Sequence, residues 1–275
     1  MPLYRPSELK AFLNSLEEGN RPKKSLGQNF LIDGNIIRKI VDLSKVEKGD
    51  CVVEIGPGPG VLTEALLEKG CEVFAIERDR RFARALRRLG AEEQLHIFEE
   101  DVLQIDWKKM LGEKKAHVVA NIPYNITSPI IERIFDNRAS LFSATLMVQK
   151  EVGERMVAKE RTKERSSLSL FCEFYSHISY GFTVSNKSFY PPPKVDSAVV
   201  RFQLKKENDP LFEKQFFAFV HSIFCYKRKM VQTTLKKNYP LPLIEESYTK
   251  LSLSSTVRPQ ELSLEEWIAL FHAMH

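Results

Sequence analysis

Residues 51–77, CVVEIGPGPGVLTEALLEKGCEVFAIE, constrain the fold more than any other stretch of the chain. Two short apolar runs, CVVEI and CEVFAI, flank an amphipathic segment, VLTEALLEKG, and a loop with glycine at alternate positions leads into that segment. Short runs that are apolar throughout suit strands buried on both faces, the condition inside a parallel sheet covered by helices. The same alternation continues on either side. IIRKIVDLSKV reads as a helix before this unit and RRFARALRRL as a helix after it. Next come the strands QLHIF and AHVVAN, a helix from about Thr127 to Asn137, the strand ATLMVQ, and a long basic helix from about Lys150. Regular strand–helix alternation predicts an α/β fold with a Rossmann-like parallel sheet. In such sheets ligands sit beyond the carboxyl ends of the strands, so the loops after the apolar runs are where function is expected.

After Ser166 the pattern changes. SLSLFCEFYS reads as a helix, HISYGFTV as extended, and SFYPPPKVDSAVVRFQL ends in a strand. Beyond Pro210 the segments LFEKQFFAFVHSIF, KRKMVQTTLKKN and SLEEWIALFHAMH are helical. The polar stretch KKENDP (205–210) is the expected linker. It divides the chain into an N-terminal extension (1–20), an α/β domain (21–205) and a small helical domain (206–275). A length of 275 residues, 43% hydrophobic and 28% charged, suits a soluble globular chain with one large and one small domain. No window approaches the roughly 18 uninterrupted apolar residues of a membrane span, and the N-terminus lacks the apolar core of a signal peptide. A cytoplasmic protein is expected. Cys51, Cys71, Cys172 and Cys225 are scattered without CxxC spacing, so neither a zinc site nor a disulfide framework is expected. The net charge is +5, and the basic residues are clumped at Lys23-Lys24, Arg78/Arg80/Arg81/Arg84, Arg87-Arg88, Lys227-Arg228-Lys229 and Lys236-Lys237. Such clusters suit a polyanion, and they equally suit solvated helix faces.

Each strand end carries a distinct chemical feature. The first runs into Glu54-Ile55-Gly56-Pro57-Gly58-Pro59-Gly60, where glycines let the backbone approach a ligand closely. Glycine-rich loops also serve dinucleotide enzymes, but GxGxG preceded by an acidic residue fits a nucleoside without a pyrophosphate better than it fits NAD. Glu77, at the second strand end, suits the hydroxyls of a ribose; a surface pair with Arg78 or Arg80 is the plainer reading. After the third strand, Asp101 is a natural acceptor for an adenine amino group, or else a helix N-cap. The fourth strand ends in Asn121-Ile122-Pro123-Tyr124, readable as a turn. Beside a nucleoside pocket the same four residues form an amine-holding site. The Asn121 side-chain oxygen and the Ile122 carbonyl accept the two N–H groups of an exocyclic amine, and that localises its lone pair. Pro123 biases the residue before it to an extended conformation, which aims the carbonyl. Tyr124 supplies a stacking face for an extruded base.

With these loops in hand the chain resembles the ribosomal RNA adenine N6-dimethyltransferases, in particular the members that act on the small subunit. The resemblance runs from Arg21 to the C-terminus. It rests on KKSLGQNFLID (23–33), EIGPGPG, NIPY, LMVQKEV (146–152), FYPPPKVDSAVVRF (189–202) and RPQELS (258–263). It implies a class I S-adenosylmethionine-dependent methyltransferase sheet with a small C-terminal helical domain that binds RNA. It also implies that Gln28, Asn29 and Leu31 fold over S-adenosylmethionine, with Gly56 and Gly58 along its methionine and ribose, Glu77 on the ribose, Asp101 on the adenine amine and Val102 flanking the ring. Asn121 and Tyr124 match the target-adenine motif, with Asn121 also bordering the cofactor, and Phe189 matches a second stacking aromatic. The expected partner is 16S rRNA in the small ribosomal subunit, methylated twice on each of two adjacent adenosines near its 3′ end; the enzyme is expected to be monomeric, with no metal and no membrane association.

Two departures stand out. Glu100 replaces a glycine usual before the adenine-binding aspartate, and KERSSLSL (163–170) replaces a stretch more often YGRLS-like, a change expected to touch RNA contacts only. The transfer is expected to be direct and in line, needing placement of the nitrogen about 3 Å from the methyl carbon rather than a strong base. The basic residues Lys227–Lys229 and Lys236–Lys237, extended by Arg155, Lys159, Arg161 and Lys163, are the expected rRNA contact. Three other readings share parts of this pattern. A resistance-type enzyme acting on large-subunit rRNA shares the chemistry, but PPPKVDSAV and SLGQNFLID argue against it. A non-catalytic assembly factor would not need the intact NIPY, and a nicotinamide dehydrogenase is a distant third.

Overall fold

The computed structural model describes residue 3 and residues 5–15, 28–90, 93–206 and 208–275. Lys23, Lys24 and the first residues of the KKSLGQNFLID stretch lie outside them, as does much of the 1–20 extension. The chain divides into two compact units, one formed by Met1–Gly153 with Ser179–Leu204 and the other by Glu154–Ile178 with Lys205–His275.

The first unit runs α1 (Pro6–Ser15), β1 (Phe30–Leu31), α2 (Gly34–Ser44), β2 (Cys51–Ile55), α3 (Val61–Glu68), β3 (Glu72–Ile76), α4 (Arg80–Leu86), β4 (Leu95–Phe98), α5 (Trp107–Leu111), β5 (Ala116–Asn121), α6 (Thr127–Asp136) and β6 (Leu141–Gln149). It takes in the start of α7 (Lys150–Met156), most of β7 (Ser176–Val184), then β8 (Phe189–Tyr190) and β9 (Ser197–Leu204). Among the described residues the main sheet has the order β4-β3-β2-β5-β6-β9-β7. Its strands from β4 to β6 are parallel, and β9 is antiparallel to β6. The apolar runs behave as their composition demands: every residue of β2 is buried, Glu54 included. Strand order reverses at β2, because β3 and β4 extend to one side and β5 and β6 to the other. That switch point opens a crevice at the carboxyl ends of the strands. Helix α2 begins at Asp33, whose side chain accepts from the Asn35 and Ile36 N–H groups, and buries Ile37, Ile40, Val41 and Ser44 at helical spacing. Two short strands, β1 and β8, pair antiparallel with Phe30 opposite Tyr190 and Leu31 opposite Phe189.

The second unit holds α8 (Ser167–Tyr175), α9 (Pro210–Phe224), α10 (Val231–Leu235), α11 (Leu241–Lys250) and α12 (Leu264–Met274). Its core is aromatic. Phe174 lies 5.4 Å from Phe216 and 5.0 Å from Phe217 between ring centres, and Phe216 meets Phe271 edge-on at 5.8 Å. Asp209 caps α9 with Pro210 in its first turn, and Ser263 with Glu266 forms a reciprocal cap on α12.

The structure departs from the sequence reading in several places. The long basic helix expected from Lys150 stops at Met156, and the chain turns through Arg161, which adopts a positive φ of 66°. The helix expected over KRKMVQTTLKKN contracts to Val231–Leu235, and α1, α5 and α11 are helices at segments where the sequence pattern predicts none. Residues 154–178 group with the C-terminal helices and not with the α/β part, so the linear division at 205 does not describe the units. The reason is the aromatic face of α8, whose Phe171, Phe174 and Tyr175 pack on Phe217. Nor is KERSSLSL confined to surface contacts. Arg165 is 1% exposed and pairs with Glu173 at 2.9 Å, while Ser166 and Ser169 cap α8. No helix among the described residues is long and apolar enough to cross a membrane.

Candidate active site

The crevice at the switch point is a cleft lined from four strand ends. Glu54 to Pro59 span the end of β2 and its loop, Glu77 and Arg78 follow β3, Glu100 to Val102 follow β4, and Asn121 to Ile126 span the end of β5 and the turn after it, with Gln28 to Leu31 along one side. Gln28, Asn29, Leu31, Gly56, Gly58, Glu77, Asp101, Val102, Asn121 and Tyr124 therefore meet in one place. Phe189 does not join them. It is 2% exposed, opposite Leu31 in the β1–β8 pair and packed into the main core, so its expected place as a second stacking ring in the cleft is not what the described structure shows. The side chain that follows, Tyr190, packs with Phe30 and Phe82 against α1, since successive strand residues face opposite ways.

Glycine is required twice in the loop after β2. Gly60 has φ 84°, and a Cβ there would lie 2.6 Å from Leu86 Cδ2. Gly58, at φ 54°, would push a Cβ to 3.0 Å from the Phe30 ring. Gly58 also donates its N–H to Glu77 Oε2 at 2.9 Å, and the Asp79 N–H reaches Glu77 Oε1 at 2.7 Å. These bonds hold the carboxylate at the strand end while each oxygen retains a lone pair. The surface-pair reading of Glu77 is not realised, because Arg80 pairs with Glu99 at 2.7 Å and Arg78 with Asp101 at 3.2 Å. Burial pushes the Glu77 carboxyl up to about 7 despite the backbone donors. Glu54 is more extreme: burial pushes it up to about 8, and its Oε2 finds no partner among the described residues.

Asp101 caps no helix, since α5 starts at Trp107 under Asp106. The Asp101 Oδ1 accepts the Leu103 N–H at 3.0 Å, fixing the turn, while the carboxylate borders the cleft. Sequence reasoning missed the group behind Gln28. The Gln28 carboxamide donates to Asp79 Oδ2 at 3.0 Å, and Arg81 grips the same carboxylate with Nε at 3.0 Å and Nη2 at 2.7 Å. Burial alone would raise Asp79, but the bonds from Arg81 and Gln28 outweigh it and hold the carboxyl at about 2. Nothing local in the sequence signals this bond, which spans 51 positions.

The NIPY segment delivers two functional groups. Asn121 Nδ2 donates to the Asn29 carbonyl at 3.2 Å, which orients the carboxamide and leaves its oxygen outside that bond. Tyr124 opens a short 3-10 turn, Tyr124–Ile126, and its hydroxyl meets Ser197 Oγ at 2.5 Å. Within the described residues the lining thus combines a glycine cradle, four carboxylates, an oriented amide and a tethered aromatic ring.

The family model for ribosomal RNA adenine dimethylases matches residues 19–275. The chain belongs to this family. Among similar proteins is the ribosomal RNA small subunit methyltransferase A of Protochlamydia amoebophila, 44% identical over 100% of this chain and 98% of its own length. The enzyme of the same name from Chlorobium phaeobacteroides is 42% identical over 90% of each chain. Among solved structures, a dimethyladenosine transferase from Plasmodium falciparum superposes with TM-score 0.73 at 27% identity, covering 88% of this chain and 95% of the other. The 23S rRNA methyltransferase ErmE superposes at 0.71 and 25% identity, covering 89% and 99%. The fold expected from the sequence, a Rossmann-like methyltransferase sheet with helices following, is the fold this dimethylase has.

Proposed function

We propose that this dimethylase transfers methyl groups from S-adenosylmethionine to N6 of two adjacent adenosines near the 3′ end of 16S rRNA in the small ribosomal subunit. The observation that carries the reading is the convergence of the strand-end residues in one cleft, with the Asn121 amide oriented by Asn29. The lining suits the cofactor on physical grounds. Glu77 and Asp101 offer acceptors for ribose hydroxyls and an adenine amine, Val102 and Ile76 offer apolar walls, and the Glu54 carboxyl, whose Oε2 has no partner among the described residues, suits a cationic amino-acid tail. When bound, the cofactor supplies a sulfonium-activated methyl carbon. The chain's own residues bind and orient. The Asn121 oxygen and the Ile122 carbonyl accept from the target amine, and Tyr124 offers its ring to the base. Precise placement supplies most of the acceleration such a reaction needs. A monomethyl amine keeps one N–H, so the second transfer proceeds with one of the two acceptors unfilled.

The small-subunit preference follows the names of the relatives and the PPPKVDSAV stretch. In the second unit Lys159, Arg161, Lys163, Arg228, Lys229, Lys236 and Lys237 are exposed, and Lys227 Nζ donates to the Lys163 carbonyl at 2.7 Å, joining two basic segments. This surface suits an RNA backbone. The test is incorporation of labelled methyl into unmodified small and large subunits in parallel, with the product mapped by mass spectrometry. Dimethyladenosine at two neighbouring 3′-end positions of small-subunit RNA supports the proposal. Label confined to large-subunit RNA, or none in either, overturns it.

A further inference from the structure

Ser197 begins β9 and is fully buried, 73 positions beyond the tyrosine hydroxyl it meets at 2.5 Å. Its position is over-determined. It pairs across β6 with Gln149, and its neighbour Asp196 accepts the Asn186 N–H at 3.0 Å through its side chain and the Lys150 N–H at 3.0 Å through its carbonyl. Asn186 in turn donates to the Pro193 carbonyl at 3.2 Å. The VDS end of the PPPKVDS stretch therefore presents one hydroxyl from a rigid frame. Tyr124, by contrast, sits on a short turn beside the cleft, held locally by the Thr127 hydroxyl donating to its carbonyl at 3.2 Å. An aromatic ring attached to a turn rotates about two side-chain torsions unless its far end is fixed. We infer that Ser197 is the positioning residue for Tyr124, anchoring the ring's hydroxyl so that its face is pre-set to stack on the target adenosine.

This inference rests on the assignment of the cleft to a target adenosine. It implies that Ser197 acts on capture of the base and not on the cofactor. Removing the anchor lets the ring sample other planes, and each productive encounter then costs the ordering that the bond had supplied in advance. A neutral hydrogen bond of this kind corresponds to about a two- to tenfold effect.

The experiment measures methyl transfer to unmodified small subunits, with cofactor affinity by titration calorimetry, for the wild type, Ser197→Ala, Tyr124→Phe and the double variant. Ser197→Ala and Tyr124→Phe delete the same bond from opposite ends, so each is expected to lower kcat/KM for the subunit by about two- to tenfold. The double variant is expected to fall no further, and cofactor affinity is expected to stay within about twofold of wild type. Ser197→Thr keeps the hydroxyl and is expected to recover most of the rate. Wild-type rate in Ser197→Ala, multiplied losses in the double variant, or a parallel loss of cofactor affinity would overturn the inference. If Ser197→Ala does not fold, Tyr124→Phe and Ser197→Thr carry the same comparison. Absence of label with wild-type protein overturns the reading of the cleft itself, and so is distinguishable from failure of the anchor alone.

Discussion

At the residue scale, the cleft concentrates groups whose environments oppose their ordinary chemistry. Asn121 is the clearest case of a side chain whose role is fixed by a neighbour, since Asn29 takes its N–H and leaves the oxygen for a ligand. Asn121→Ala is expected to lower the methyl transfer rate by about 100-fold or more, with cofactor affinity changed far less, in single-turnover assays. Glu54 and Glu77 show the converse, two carboxyls that burial holds partly protonated near neutrality. A carboxyl raised from its ordinary 4.5 to about 8 or about 7 means that the folded chain binds more protons than the unfolded one. The stability that these two carboxyls contribute to the ligand-free protein is thus fully present below the ordinary value and is lost as pH rises through the folded one. Glu54→Gln keeps the shape and removes the charge. It is expected to raise the melting temperature by at least about 3 °C near pH 8 and by little near pH 5, a scale that about 1 kcal/mol produces in a domain of this size. Equal shifts at both pH values in thermal melts would refute this account.

At the element scale, the turn between β2 and α3 and the anchor beneath Gln28 are where single changes act on whole segments. Gly60→Ala brings both a left-handed backbone and a Cβ 2.6 Å from Leu86, whereas Gly90, also left-handed at φ 64°, has open space around it. Urea melts are expected to show Gly60→Ala costing about 2 kcal/mol more than Gly90→Ala. Asp79→Ala removes the carboxylate that Arg81 grips and Gln28 leans on, and is expected to cost about 3 kcal/mol in the same measurement and to raise the KM for S-adenosylmethionine. These elements also mark what the sequence makes legible. Strands β2, β3, β5 and β6 are visible because heavy burial writes itself as apolar stretches, while β4 is only partly buried and carries a weaker run. The ligand loops follow from the rule that places ligands at strand ends. Helix α1 escaped notice because its stripe, Leu9, Phe12 and Leu13, is short and embedded in charge, although the spacing is helical. The Gln28–Asp79–Arg81 group and the Tyr124–Ser197 bond are illegible for a different reason: each joins residues whose proximity exists only after the chain has folded. That Phe189 packs into the core while Tyr190 faces α1 is equally illegible, because a two-residue strand assigns faces by register, and register across β1 and β8 is not written in either strand alone.

At the scale of the whole molecule, net charge is modest and its placement decides its use. Binding to isolated small-subunit RNA is expected to weaken steeply with salt, and replacing Arg228, Lys229, Lys236 and Lys237 with alanine to lower the slope of log K against log salt by about 2 to 4. An unchanged slope in filter binding would remove this surface from the contact. The discontinuous second unit carries a consequence for how the protein is made. Synthesis proceeds from the N-terminus, so a nascent chain that has reached Leu204 holds every described strand of the sheet, while Phe171, Phe174 and Tyr175 still await Phe212, Phe216 and Phe217. A message truncated after that point yields a polypeptide with the strands of the sheet and an aromatic helix, α8, left without its partners. Such a product invites chaperones and proteases, so the last quarter of the gene guards the quality of the whole.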